Sequence, residues 1–156
     1  MCGRHDTAVS TPSPAEVLGP VVIGLDHVGF AVRDLDEAIA FYARTFGLPL
    51  VHEEVNEEQG VREAMLQVGD SRIQLLAPLR ADSAIGKFLE RSGEGIQQVA
   101  FRVSDVEVAA QRLRDAGLRL LYDAPRRGTA GSLINFVHPK DCGGVLVELV
   151  ELPAVH

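Results

Sequence analysis

Four side chains of this 156-residue chain could do chemistry as a set: His27, Gln74, Gln98 and Glu148. One imidazole, two amides and one carboxylate supply nitrogen and oxygen donors and no thiolate. Such a set suits a hard, octahedral divalent ion (Co, Mn, Ni or Mg) better than a closed tetrahedral zinc site. Four protein ligands on an octahedral ion leave two adjacent positions open, and these could chelate two oxygens of a substrate. A single carboxylate among the ligands leaves the ion about one net positive charge, which favours a dianionic or enolate ligand. Taken singly, a strand histidine is ordinarily packed or solvated, and a strand glutamine is blander still. An internal repeat makes these four a set.

Residues 24–32 align with residues 95–103 at a constant offset of 71 residues, so that His27 falls on Gln98, Val28 on Val99, Phe30 on Phe101 and Val32 on Val103. At the same offset Asp34 meets Asp105, and the stripe Leu35, Ala38, Ile39, Tyr42 meets Val106, Ala109, Ala110, Leu113. Gly47 meets Gly117 with a slip of one residue, and Ile73-Gln74-Leu75 pairs with Val147-Glu148-Leu149. Two copies of a long period indicate a duplicated module, whereas a solenoid needs three or more. His27 and Gln98 thus share one strand position, and Gln74 and Glu148 another. Each alternates with large apolar neighbours, so all four project from the sheet face opposite the helices.

The elements that must hold them are legible. Residues 22–32 read as a strand. Asp34 and Glu37 form a capping box ahead of a helix with the stripe Leu35, Ala38, Ile39, Tyr42, and Gly47 ends that helix as a left-handed residue. Residues 48–53, 61–68 and 72–77 read as three further strands, with turns at 56–60 and 69–71. A short helix is expected over 82–91 with Ile85, Phe88 and Leu89 inward. The expected organisation is a flexible tail over 1–20, a first βαβββ module over 21–80, a linker helix over 81–94 and a second βαβββ module over 95–153. The fold class is α+β, a curled mixed sheet around a metal-centred cleft. Glu63, on the second of the three later strands, is a candidate general base if it is partly desolvated beside a metal.

Net charge is −7, which argues against nucleic acid as a partner. No apolar run reaches the length of a membrane span, the first residues lack the order of a signal peptide, and Cys2 and Cys142 make no disulfide framework. A cytoplasmic protein is the expectation.

Several stretches resemble a known family. The modules are similar to those of the vicinal oxygen chelate superfamily, whose members pair βαβββ units around a divalent metal. Residues 25–28 (LDHV), 57–65 (EEQGVREAM), 74–78 (QLLAP), 120–125 (LLYDAP), 128–131 (GTAG), 134–140 (INFVHPK) and 144–149 (GVLVEL) are similar to the methylmalonyl-CoA epimerase family in particular. The match runs over residues 24–153. By position, the resemblance implies metal ligands at His27, Gln74, Gln98 and Glu148 and a catalytic glutamate at Glu63. The family often has histidine where this chain has Gln98, which bears on metal affinity and preference. The implied reaction interconverts (2R)- and (2S)-methylmalonyl-CoA through an enolate, with Glu63 serving one face and Glu148, or a water it holds, the other. The CoA portion implies contacts from Arg126, Arg127 and Lys140, and Asn135 is a candidate to orient the substrate, or else supports a turn. Ethylmalonyl-CoA as substrate, a lactoylglutathione lyase and a non-catalytic small-molecule binding protein are the alternatives on the same scaffold. A homodimer is expected.

Overall fold

The computed structural model of the protein describes residues 16–154. Its strands are β1 (Val22–Ala31), β2 (Leu50–Asn56), β3 (Val61–Val68), β4 (Ser71–Pro78), β5 (Gly95–Val103), β6 (Arg126–Arg127), β7 (Leu133–Val137) and β8 (Leu146–Glu151). Its helices are α1 (Leu35–Phe46), α2 (Ala84–Ser92) and α3 (Val106–Asp115). The strands form one eight-stranded mixed sheet in the order β2-β3-β4-β1-β5-β8-β7-β6.

Helix α1 starts where the Asp34 side chain accepts from the Glu37 N–H at 3.0 Å and stops at Gly47, whose φ is 68°. α3 is capped in the same way by Asp105, which accepts from the Val108 N–H. Both helices lie on the convex face. α1 buries Leu35 against Leu66, Leu75 and Ala77, with Ala38, Ile39 and Tyr42 packed at the margin. α3 buries Val106, Ala109 and Leu113 against Val103, Val137 and Leu149. The expected stripes are therefore the packed ones.

The sheet carries the repeat in its hydrogen bonding. β1 and β4 run parallel with Gly29 opposite Gln74, and β5 and β8 run parallel with Ala100 opposite Glu148. The two halves meet where β1 and β5 pair antiparallel, with His27 opposite Ala100, Val28 opposite Val99 and Gly29 opposite Gln98. A two-fold axis through the Val28–Val99 pair exchanges the halves, because each residue of this stretch faces the repeat-partner of its own mirror position.

Three features depart from expectation. α2 packs on the concave face: Ile85 and Leu89 are buried against Ala31, Val61 and Leu76, so the linker closes one end of the cleft instead of merely joining modules. The second module reaches its second strand late, since residues 118–125 form a loop with one bridge (Leu120 to Val137) before the two-residue β6. Of the expected tail, residues 1–15 lie outside the described residues, but Leu18 packs against the α3 cluster and its carbonyl accepts from Arg112 at 3.0 Å. Residues ahead of 21 are thus packed against the fold.

Leu75 and Leu149 are essentially fully buried in the two separate convex-side cores. Leu75→Ala and Leu149→Ala should each lower the unfolding free energy by about 2–5 kcal/mol in urea titrations. Both variants should keep one cooperative transition, because the β1–β5 seam couples the halves; two resolved transitions would show that it does not.

Candidate active site

Alternation along the strands sends Glu63, Gln74, Gln98 and Glu148 into the concave cleft, where they line one cavity of about 130 Å³. His27 joins them in the sheet's middle. All five are buried, at 2–7% exposure, in a fold whose other buried residues are mostly apolar. The bulges of the central seam adjust the aim. β1 has an extra residue between Leu25 and His27, and β5 has one where Gln98 is followed by Ile96 in the pairing with Gly29 and Phe30. These extra residues, Asp26 and Gln97, are repeat-partners. A bulge re-aims side chains, and here each places a second polar group beside a ligand candidate. Gly29 makes room for Gln98: a Cβ at position 29 would stand 2.5 Å from Gln98 Cγ.

The polar groups form a continuous chain. The Gln74 amide donates to Glu63 Oε2 at 2.9 Å. Gln98 donates to Gln74 Oε1 at 3.1 Å and to Glu148 Oε2 at 2.7 Å. His27 Nε2 lies 3.0 Å from Glu148 Oε2, and its Nδ1 lies 2.7 Å from Asp26 Oδ2. Arg102 closes the end by donating to Asp26 Oδ1 at 3.0 Å. Thr129, from the loop before β7, donates to Glu63 Oε1 at 2.6 Å and accepts from Gln74 at 2.9 Å.

Burial alone would depress the His27 pKa, but the carboxylates of Asp26 and Glu148 on its two nitrogens push it up to about 9. Glu63 is pushed up to about 8 by desolvation and by the neighbouring Glu54, against the opposing bond from Thr129. Burial would raise the Asp26 pKa, yet His27 and Arg102 hold it below the usual carboxylate range. A carboxyl group poised near neutrality can both take and return a proton.

The remaining candidates separate. Asn135 does not face the cleft. It sits between Ile134 and Phe136, which do, and is fully buried on the α3 side. Its Oδ1 accepts from the Tyr122 and Phe136 N–H groups, and its Nδ2 donates to the Tyr122 carbonyl, so it props the 118–125 loop. Of the two expectations for Asn135, this geometry accords with support of a turn. Arg126 stands at the rim with its guanidinium 3.9 Å from the centre of the Tyr122 ring and 3.4 Å from Glu58. Arg127 is exposed beside it on β6, and Lys140 is exposed on the turn between β7 and β8, away from the cleft residues. Sequence reasoning missed Asp26, Thr129 and Glu54, whose Oε1 accepts from the Ala130 N–H at 3.1 Å. Asp26 alone carried a signal, as the polar residue preceding His27 in the repeat.

The four metal-ligand candidates fit a cation. Ligand atoms about 2.1 Å from an octahedral ion stand about 3.0 Å from their neighbours. Here Glu148 Oε2 and His27 Nε2 are 3.0 Å apart, and Gln98 Nε2 lies 3.2 Å from His27 Nε2 and 3.1 Å from Gln74 Oε1. Turning the Gln98 amide presents its oxygen in place of its nitrogen. Among the described residues no group of three or more His, Cys, Asp or Glu side chains converges as ligands, so a cation held here depends on the two amides. Asp26 on Nδ1 fixes which His27 nitrogen faces the centre, the usual arrangement behind a metal-binding imidazole.

Paired modules around one concave cleft, with a buried nitrogen–oxygen donor cluster at their pseudo-two-fold, define a class of small-molecule and metal-binding proteins. Residues 26–136 match the model of the Glyoxalase/Bleomycin resistance protein/Dioxygenase superfamily, and the chain belongs to that superfamily. It is 57% identical to the methylmalonyl-CoA epimerase of Mycobacterium tuberculosis. Their structures superpose with a TM-score of 0.84 over 86% of this chain and 91% of that one. The Streptomyces coelicolor methylmalonyl-CoA epimerase, solved as a single-substitution variant in complex with 2-nitronate-propionyl-CoA, is 53% identical with a TM-score of 0.85 over 86% and 98% of the two chains. The ethylmalonyl-CoA/methylmalonyl-CoA epimerase of Cereibacter sphaeroides is 37% identical over 130 residues, 82% of this chain and 97% of that one.

Because a methyl group at position 29 collides with Gln98, Gly29→Ala should displace that amide and weaken Co binding by roughly tenfold or more in calorimetric titration, with the far-ultraviolet spectrum preserved. Unchanged affinity would show that Gln98 is not a ligand. Gln98→His, which exchanges an amide oxygen for an imidazole, should tighten the same binding.

Proposed function

We propose that this protein epimerises methylmalonyl-CoA at C2. The observation that carries the reading is the placement of two glutamates, Glu63 and Glu148, at opposite ends of the Gln74–Gln98 amide bridge. Inverting a carbon acid through a planar enolate needs a proton carrier on each face, and this cluster offers one at each end. Its similarity to epimerases that act on this substrate supports the assignment.

His27, Gln74, Gln98 and Glu148 would hold a divalent metal. When bound, it would supply Lewis-acid stabilisation of negative charge on the substrate's carboxylate and thioester oxygens. The protein's own groups do the rest. Glu63 takes the C2 proton on one face, held in place by Thr129 and Gln74 on its two oxygens. Glu148, or a water it orients, returns a proton on the other. α2, the 118–130 segment and β7 wall the cleft with Ile85, Leu121, Ile134 and Phe136, which exclude water from the enolate. At about 130 Å³ the cleft is smaller than the roughly 300–1,000 Å³ typical of a drug-sized site and would seat the reacting end of the substrate but not its nucleotide. The nucleotide lies outside, and we assign its phosphates to the rim cations Arg126 and Arg127, with Lys140 more remote. The ethylmalonyl-CoA activity in the name of one relative favours the same site accepting one more methylene.

The convex face of the seam supports a homodimer. Leu25 and Phe101 pair across it, as do Phe30 and Ile96, and Leu25, Ile96 and Phe101 remain 37–60% exposed between α1 and α3. No helix among the described residues is long and apolar enough to cross a membrane. A cytoplasmic location accords with the free thiol of Cys142.

Deuterium incorporation at C2 of methylmalonyl-CoA in D2O, followed by NMR, tests the reading. Glu63→Gln should slow exchange by roughly 10²–10⁴-fold. Stripping with a chelator should abolish it, and Co or Mn should restore it. Wild-type protein with added metal that exchanges nothing would refute the assignment. Light scattering at micromolar concentration should give a dimer mass that Ile96→Lys converts to monomer.

A further inference from the structure

Gln97 is not explained by the chemistry above. It is the bulged residue of β5, set between Ile96 and Gln98 in the pairing with β1, and the bulge lets both Gln97 and Gln98 line the cleft although they are adjacent in the strand. Its repeat-partner Asp26 is engaged on both oxygens, by His27 and by Arg102. The Gln97 Oε1, by contrast, is buried and has no hydrogen-bond partner among the described residues. A buried acceptor left unpaired is costly and uncommon in folded proteins, and such a group calls for a ligand to satisfy it.

The ligand must bring an N–H or O–H. Under the epimerase reading, on which this inference rests, neither the carboxylate nor the thioester of the acyl group carries one. The pantetheine arm does: its first amide N–H is three bonds from the thioester sulfur, the nearest donor to the reacting carbons. Gln98, the neighbour of Gln97, belongs to the cluster that would hold the thioester end. A donor a few bonds along the arm therefore falls to the next residue of the strand. The cleft that Gln97 lines is walled in part by the apolar side chains of Leu76, Ile85 and Leu121, which offer that amide no acceptor. We propose that Gln97 recognises the first pantetheine amide of the substrate, its Oε1 accepting from that N–H, and so sets which thioesters are positioned for enolisation.

The test compares two truncated substrates: the methylmalonyl thioester of N-acetylcysteamine, and that of 2-mercaptoethyl acetate, in which oxygen replaces the N–H. Exchange at C2 is measured for the wild type, Gln97→Leu and Gln97→Glu. Wild type should favour the amide substrate by roughly tenfold in kcat/KM, mainly through KM. Gln97→Leu should lose that preference by falling on the amide substrate alone, and Gln97→Glu, which keeps an acceptor oxygen, should retain it. Equal losses on both substrates, or none on either, would overturn the proposal, as would a wild type indifferent to the N–H. Failure of the wild type on methylmalonyl-CoA itself would instead overturn the epimerase reading and this one with it.

Discussion

The antiparallel seam between β1 and β5 is the constraint on which the site depends. Strand side chains alternate between faces, so a slip of one residue would carry His27 and Gln98 to the convex side and turn Val28 and Val99 into the cleft. The register is held from both sides: by the parallel ladders that lock each central strand to the last strand of its own module, and by the apolar cores under α1 and α3. Ala100 opposite His27 and Gly29 opposite Gln98 are small where the partner's side chain must lie across the strand. Function therefore requires a small residue at the position that faces each central ligand candidate.

The cluster at the centre of the seam is poor material for stability. Asp26, His27, Glu63, Gln74, Gln98 and Glu148 are all buried, and isolated burial of such groups is unfavourable unless hydrogen bonds replace the lost water. The unbroken chain from Thr129 and Glu63 to Arg102 offsets that penalty by making each group the partner of the next. An apolar core of the same volume would hold the sheet at least as well. What the polar chain provides instead is a fixed array of donors and acceptors in a pocket shielded from solvent, where charge developing on a substrate is felt strongly. Two convex-side cores that share no residue with the site carry much of the apolar burial.

Much of this was legible from residue order because repeat and parity are local properties. The offset between His27 and Gln98 and the alternation of Gln74 and Glu148 with apolar neighbours placed the cluster without coordinates. The two expectations for Asn135 stayed open in the sequence because a polar residue between two apolar ones signals a face but not which face; on β7 the large residues Ile134 and Phe136 line the cleft and the asparagine faces α3. Thr129 and Glu54 were invisible because their roles depend on a loop from the second module crossing to strands of the first, a long-range contact with no periodic trace. The position of α2 was hidden for a related reason. Its stripe of Ile85, Phe88 and Leu89 announces a buried face, while the surface it meets is decided by the concave curvature of the sheet.

The site is more informative where the symmetry fails than where it holds. Glu63 pairs with Leu76 across β3 and β4, and Ile134 pairs with Val150 across β7 and β8. Since Leu76 and Val150 stand equally beyond the repeat-partners Gln74 and Glu148, the symmetry counterpart of Glu63 is Ile134. The second module thus offers no copy of Glu63. It contributes instead the segments on either side of its short second strand, which reach across to meet the first module: Tyr122 accepts from Gln59, Thr129 donates to Glu63, and the Ala130 N–H donates to Glu54. With an apolar residue where a second free carboxylate would sit, the carboxylates lining the cleft are Glu63 and Glu148. On the proposed reaction, the two faces of a flat intermediate would meet chemically different groups, one a glutamate desolvated and pinned by Thr129, the other a glutamate tied to His27 and Gln98. A duplicated scaffold supplies the centre, and its divergence makes the two carboxylates of the cleft unlike.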